Sequence, residues 1–280
     1  MKEVVIAGYV RSPFTPAKKG EMAKVRPDEL AGQVVKELVS RTKVNPEDIE
    51  DMIIGCAFPE GEQGFNVARI VDFLAGMPIT VAGVTVNRFC GSSMQSIHSA
   101  AGAIQMGSGD VFVCGGIESM SRVPMMGFNP LPHPELYENY PEAFVSMGIT
   151  AENLAQKYNI SREEQESFAV ESHSRASAAA NGGKFSDEIV AITHNENVIE
   201  KDGCIREGTT EETLSGLKPA FDVNGTITAG TSSPLTDGST AVLVCSGEYA
   251  DEHGLQKMAK IISTSVAGSV VNTTVNESVV

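Results

Sequence analysis

Val84-Thr85-Val86-Asn87-Arg88-Phe89-Cys90-Gly91-Ser92-Ser93 decides how this chain is read. Residues 84–86 are a short β-prone run. Residues 92–106 follow with Met94, Ile97, Ala101 and Ile104 at helical spacing, which predicts a helix with those four side chains on one face. Between them lies a tight turn of small residues with Cys90 at its corner. A thiol there points at unpaired backbone N–H groups and the positive end of a helix dipole, and both favour the thiolate. Small neighbours would admit a substrate carbonyl, and the Cys90 N–H could help hold a developing oxyanion. That is the nucleophile reading. A structural cysteine buried at a strand end fits the same residues.

Working outward, the first third alternates strand and helix periods. Residues 2–7 form a β-rich run ended by Gly8. Leu30, Val34 and Leu38 recur every four residues after Pro27 and predict a helix over 28–39. Asn45-Pro46-Glu47-Asp48 predicts a helix start, with a capping Asn, Pro in the first turn and acids at the positive end. Residues 51–57 predict a buried strand, and 110–114 another, ended by Gly115-Gly116. Apolar strands alternating with helices predict an α/β fold with a parallel or mixed sheet covered on both faces. After Gly116 the character changes. Residues 117–150 are rich in Pro, Met and Asn. Helices are predicted over 150–158 and 161–181, the second opened by the capping box Ser161-Arg162-Glu163-Glu164 and stopped by Gly182-Gly183. Residues 227–229 and 241–245 resemble strands again. The pattern is a core unit interrupted by an irregular insertion near 118–235.

The chain has 280 residues, 21 Lys plus Arg against 36 Asp plus Glu, and a formal net charge of −15. Such a field argues against a general grip on nucleic acid or on an anionic membrane surface. It leaves room for a small anionic ligand in a local pocket. No stretch approaches the roughly 20 apolar residues of a membrane span, and residues 1–15 read directly into a strand rather than a secretory leader. Five cysteines, at 56, 90, 114, 204 and 245, form no C-x-x-C and no close pair. A disulfide framework or zinc site is not expected, and a reducing cytoplasm fits.

Other chemistry is thinner. Cys56, Cys114 and Cys245 lie in apolar strand patterns and read as core, and Cys204 reads as a loop residue. A nucleophilic cysteine usually needs a base. His98 lies eight residues on from Cys90, about two helical turns away, and His133, His173, His194 and His253 have no catalytic context. Gly115-Gly116 reads either as a close approach of backbone or ligand or as an ordinary turn. The hydroxyl-rich stretch 228–238 reads either as a cradle for a polar ligand or as a solvated turn. It lacks the P-loop pattern, and no G-x-G-x-x-G follows the first strand.

Taken together, these residues carry a family resemblance. Asn87 through Gln95 resembles the nucleophile segment of the thiolases, the acetyl-CoA acetyltransferases and 3-ketoacyl-CoA thiolases. Gly115-Gly116-Ile117-Glu118-Ser119-Met120-Ser121 resembles their G-G-x-E-S-M-S segment. Met147 through Asn153, Ser161 through Gln165, Lys218-Pro219-Ala220-Phe221 and Thr228 through Gly238 resemble further family segments, in family order from residue 2 to about 268.

The resemblance implies a thiolase-type layered α/β half-domain with a mixed sheet. Its core domain would be residues 1–117 and 236–268, its inserted CoA-binding loop domain 118–235, and 269–280 a divergent tail. It implies that Cys90 is acylated by an acyl-CoA or 3-ketoacyl-CoA, with coenzyme A as substrate and no permanently bound cofactor. Met147, Arg206, Thr213 and Ser233 fall where the family contacts CoA; Ser146 stands where some relatives have His. The family's N-E-A-F, G-H-P and C-x-G-G-G segments do not occur in this sequence. The expectation is therefore an N-terminal half lacking the C-terminal catalytic half, with an exposed apolar face covered in a homo-oligomer or by a complementary C-terminal half. Neither nucleic acid nor membrane is expected as a partner. The alternatives are a non-catalytic CoA-binding fragment or a subunit requiring a partner chain; a protease-type cysteine hydrolase lacks a histidine context.

Overall fold

The computed structural model describes residues 1–268. The expected tail at 269–280 lies outside them. The strands are β1 (Val4–Arg11), β2 (Thr15–Pro16), β3 (Asp51–Gly55), β4 (Ala82–Val86), β5 (Val111–Ser119), β6 (Ile192–His194), β7 (Asn197–Ile199), β8 (Thr236–Ser246) and β9 (Ala259–Lys260). The helices are α1 (Pro27–Thr42), α2 (Val67–Ala75), α3 (Ser92–Met106), α4 (Pro134–Asn139), α5 (Met147–Tyr158), α6 (Arg162–Asn181), α7 (Glu211–Ser215) and α8 (Gly247–Glu252).

Two compact units result. The first takes Met1–Asn129, Phe185–Cys204 and Leu235–Thr264. It therefore holds 118–129 and 185–204 as well as the expected core. Its sheet is mixed, in the order β4-β3-β5-β8-β1-β9, with β2 pairing beside β8. β4, β3 and β5 run parallel, and β8 is antiparallel to both β5 and β1. Alternation along each strand splits the core into two layers. Met52, Ile54, Val111, Val113, Leu243 and Cys245 face α1 and α2. Ile53, Phe112, Cys114 and Val244 face α3. The α/β architecture with a mixed sheet is the one read from the sequence.

Several local readings change. β1 passes through Gly8, which sits at a register shift against β8 rather than at a strand end. β5 likewise passes through Gly115-Gly116. Residues 46–48 make one 3-10 turn, capped by the Asn45 side chain, before β3 begins. Residues 227–229 form an isolated bridge, Thr228 to Pro219, instead of a strand. The buried face of α3 is Ser92, Ser96, Ala100, Ala101 and Ile104, whereas Met94 is 51% exposed. The reason is close packing. Gly55 and Gly116 pair across β3 and β5, and a side chain on Gly55 would overlap the backbone of Ser92 and Ser93, one on Gly116 the Ser93 side chain. Only small residues fit that seam. Met94 and Ile97 instead line an open apolar groove of about 400 Å³ with Tyr9, Val10 and Val242.

The segment 185–204 is fastened to β1. The Arg11 guanidinium pairs with Glu188 at 2.7 Å and with both oxygens of Asp202 at 2.8 Å, while the Arg11 N–H donates to the Glu188 carbonyl and the Arg11 carbonyl accepts from the Val190 N–H, each at 2.8 Å.

The second unit contains Pro130–Lys184 and Ile205–Pro234. Ser161 and Glu164 close the capping box expected for α6. The Arg162 guanidinium donates to Glu166 Oε1 at 2.7 Å and to the carbonyls of Leu214, Ser215 and Leu217, tying α7 to α6. The Glu152 carboxylate receives the N–H groups of Thr226 and Ile227 and so holds α5 to that loop.

Candidate functional site

Cys90 is exposed, at the corner between β4 and α3. The buried-structural reading of it is therefore excluded. The corner is built by its neighbours. Phe89 is left-handed, with φ of 45°, a conformation that costs a non-glycine residue about 1–2 kcal/mol. Four hydrogen bonds hold it. The Phe89 N–H donates to Asn87 Oδ1 at 2.8 Å, the Phe89 carbonyl accepts from the Ser92 hydroxyl at 2.5 Å and from the Ser92 N–H at 3.0 Å, and the Arg88 N–H donates to the Ser92 hydroxyl at 2.8 Å. The first turn of α3 begins two residues after Cys90, so its N–H groups, which lack intrahelical acceptors, point toward that corner.

Behind the corner sits a polar cluster that the periodicity of the sequence did not signal. Glu118 Oε2 accepts the Ala57 N–H at 2.7 Å, and Oε1 accepts Gln63 Nε2 at 2.7 Å. Burial pushes the Glu118 carboxyl up, against the hydrogen bonds from Ala57 and Gln63 that favour its charge. The Asn87 amide donates to the Ala57 carbonyl at 2.8 Å. On the far side of Glu118, buried Asp237 accepts from the Ser119 hydroxyl and from both the N–H and hydroxyl of Ser121. Glu118 was visible only as a letter in a family segment; Gln63 carried no signal at all.

The remaining cysteines are core, as read, apart from half-buried Cys204. Burial pushes the Cys56 thiol up to about 12, helped by the charge of Glu118, and Cys245 up to about 11; Cys114 is raised further by the same cause. All five lie among the described residues and none is in a disulfide. In the first unit His98 lies along α3, and His253 stacks on Tyr249 with ring centroids 4.0 Å apart and Nδ1 3.0 Å from the Tyr249 carbonyl. Neither is hydrogen-bonded to Cys90.

Met147, Arg206, Thr213 and Ser233 all lie in the second unit. Met147 is the first residue of α5 after the Ser146 cap and is exposed. The Arg206 N–H donates to His173 Nδ1 on α6 at 3.2 Å, leaving its guanidinium at the surface. The Thr213 hydroxyl closes a capping box with Thr210 on α7. The turn over Thr228–Ser232 consumes its own hydroxyls, since Thr228 and Thr231 bond each other and Ser232 bonds the Thr228 carbonyl. Ser233 follows it, exposed. Among the described residues, no group of three or more His, Cys, Asp or Glu is placed to hold a metal, and no helix is long and apolar enough to cross a membrane.

A mixed α/β sheet that raises an exposed cysteine on a strand–turn–helix corner defines a class of domain built around an accessible thiol. The model of the thiolase N-terminal domain matches residues 4–248, and the chain belongs to the thiolase family of enzymes. It is 47% identical over 281 aligned positions to a 3-ketoacyl-CoA thiolase of Bacillus subtilis, covering 96% of this chain and 72% of the relative. It is 46% identical to the 3-ketoacyl-CoA thiolase of Colwellia psychrerythraea, covering 96% and 71%. The crystal structure of the Bacillus anthracis acetyl-CoA acetyltransferase superposes with a TM-score of 0.86 at 40% identity, over 98% of this chain and 73% of that one.

Proposed function

We propose that this chain performs thiolase acyl transfer with Cys90 as the acylated nucleophile. The Cys90 sulfur attacks the C3 carbonyl of a 3-ketoacyl-CoA. The C2–C3 bond breaks, its electron pair leaves on the acetyl-CoA carbon, and the proton lost by the thiol ends there. Acyl-Cys90 remains, and the sulfur of free CoA attacks it to form the shortened acyl-CoA, the bond to Cys90 breaking and the proton of the CoA thiol returning to the Cys90 sulfur. The reverse sequence is condensation. The observation that carries this reading is the exposed Cys90 on a strained corner beside a helix start, in a chain of this family. Met147, Arg206, Thr213 and Ser233 are proposed as CoA contacts, supported by their family positions and exposure on one unit. Coenzyme A is then substrate rather than resident cofactor, and a cytoplasmic setting suits five unpaired-by-disulfide cysteines.

One observation favours a second reading. Among the described residues no histidine is hydrogen-bonded to Cys90, which favours a subunit that takes its acid–base groups from a partner chain for fast turnover. General acid–base catalysis is typically worth about 10²–10⁴-fold, so a single acylation survives its loss.

The test is intact mass after incubation with acetoacetyl-CoA, wild type beside Cys90→Ala, with free CoA followed in parallel. A Cys90-dependent acetyl adduct with turnover supports the complete reaction. An adduct that forms once and persists supports the second reading. No adduct overturns Cys90 as nucleophile.

A further inference from the structure

We infer that Glu118 is a positioning residue for Cys90, acting through the Ala57 backbone and the Asn87 side chain; this rests on the reading of Cys90 as the acylated nucleophile. The geometry is a relay of three hydrogen bonds running one way. The Phe89 N–H donates to Asn87 Oδ1, Asn87 Nδ2 donates to the Ala57 carbonyl, and the Ala57 N–H donates to Glu118 Oε2, at 2.8, 2.8 and 2.7 Å. The Ala57 N–H and carbonyl belong to successive peptide units, so the relay acts by placement: the charge-assisted bond to Glu118 anchors the Ala57 backbone, and the Ala57 carbonyl in turn anchors Asn87. Every amide in the relay has its orientation forced. Asn87 must present oxygen to an N–H and nitrogen to a carbonyl. Gln63, which is fully buried, donates to Glu118 Oε1 while its own oxygen accepts the Ser119 N–H at 2.6 Å.

Glu118 has no cationic partner among the described residues; its contacts are neutral donors, the Phe58 backbone and the Cys56 thiol at 3.9 Å among them. A partly buried carboxylate without a counter-ion gains nothing from pairing. It does gain from orienting donors, and the donors it orients end at the left-handed Phe89 that immediately precedes Cys90. Strained backbone of that kind persists only where its surroundings over-determine it. Ser92 supplies one side of that constraint, and the relay supplies the other.

The test compares the rate of Cys90 acetylation by acetoacetyl-CoA in wild type, Glu118→Gln, Asn87→Ala and the double variant, with iodoacetamide labelling of each cysteine alongside. Glutamine offers one acceptor and one donor where two donors converge. Glu118→Gln is expected to lower the limiting acetylation rate about 10-fold or more, as small misplacements near a reacting atom do, with the half-saturating substrate concentration unchanged. In the Asn87→Ala background it is expected to add less than about 2-fold, the mark of a shared route. Iodoacetamide needs no carbonyl alignment, so Cys90 labelling is expected to stay within about 3-fold while Cys56 stays unlabelled. Labelled Cys56 in Glu118→Gln marks structural collapse, and the exposed Asn87→Ala variant then decides alone. A wild-type rate in Asn87→Ala, a wild-type rate in a folded Glu118→Gln, or losses that multiply in the double variant overturn the assignment. Absence of any adduct in wild type overturns the reading of Cys90 instead, and this assignment with it.

Discussion

Gly55 and Gly116 stand opposite one another on the neighbouring parallel strands β3 and β5, and the first turn of α3 rests on both. A methyl group on Gly55 would meet the backbone of Ser92 and Ser93, which cannot rotate away as a side chain would. Gly55→Ala is expected to cost about 2–3 kcal/mol, the range of overpacking a tight interior, and to slow acetylation of Cys90, since the obstructed turn is the one that presents it. Denaturant midpoints check the first and intact mass the second. Gly102 is the control, because nothing lies within 4 Å of its missing Cβ in the middle of α3. Gly102→Ala is expected to stabilise by about 0.5–1 kcal/mol.

Cysteine reactivity should follow exposure. Cys90 is exposed, whereas Cys56, Cys114 and Cys245 are buried with their thiols held in the protonated form by burial. In the native protein, iodoacetamide is expected to label Cys90 at least about 10-fold faster than these three. Peptide mapping of a time course reads this directly, and early labelling of Cys56 would count against the buried cluster around Glu118.

Asp72 on α2 contributes a pH dependence. Burial raises its carboxyl from the ordinary 3.8 to about 7, with Asp51 adding to the rise and Arg69 opposing it. A carboxyl that binds its proton more tightly when folded makes stability fall as pH rises from its unfolded value to its folded one. Between about pH 4 and pH 7 the melting temperature of Asp72→Asn is therefore expected to gain on wild type, then hold level above pH 7. The span is at most about 4 kcal/mol, at about 1.4 kcal/mol per pKa unit. A difference independent of pH would show that Asp72 is charged throughout.

Arg11 holds residues 185–204 to β1 through Glu188 and Asp202, with all three side chains less than a quarter exposed. Arg11→Leu leaves two carboxylates facing each other without their cation. A loss of about 2–3 kcal/mol is expected, together with faster proteolysis inside 185–204. Arg11→Lys should recover only part of it, because an ammonium cannot make the two parallel bonds to Asp202.

Much of this molecule was legible in its residues. The period of α1 and the capping box of α6 are local, and short-range physics sets them. The strand–turn–helix corner around Cys90 was readable for the same reason, as small residues between a β-branched run and an amphipathic one leave few alternatives. The glycines misled. Gly8 and Gly115-Gly116 read as stops, yet β1 and β5 run through them, since what these positions answer to is the pairing and packing of distant elements.

Likewise, the apolar spacing of Met94, Ile97, Ala101 and Ile104 announced a helix correctly, and Ala101 and Ile104 are buried with Ile97 against them, but Met94 stays outside. Helix period is a property of the residues themselves; which face is buried depends on what it must fit against. Here that surface is Gly55 and Gly116, which admit Ser92 and Ser93 and leave Met94 outside. By itself, then, the sequence determined α1, α3, α6 and the main strands, the α/β class, the family and the cysteine at the corner, because periodicity, capping and motif are encoded in near neighbours. Only the tertiary structure decided that Glu118, Ala57, Asn87 and Phe89 form one line of hydrogen bonds. Those residues come from β5, two loops and the turn before α3, and pairing of β3 with β4 and β5 is what brings them together.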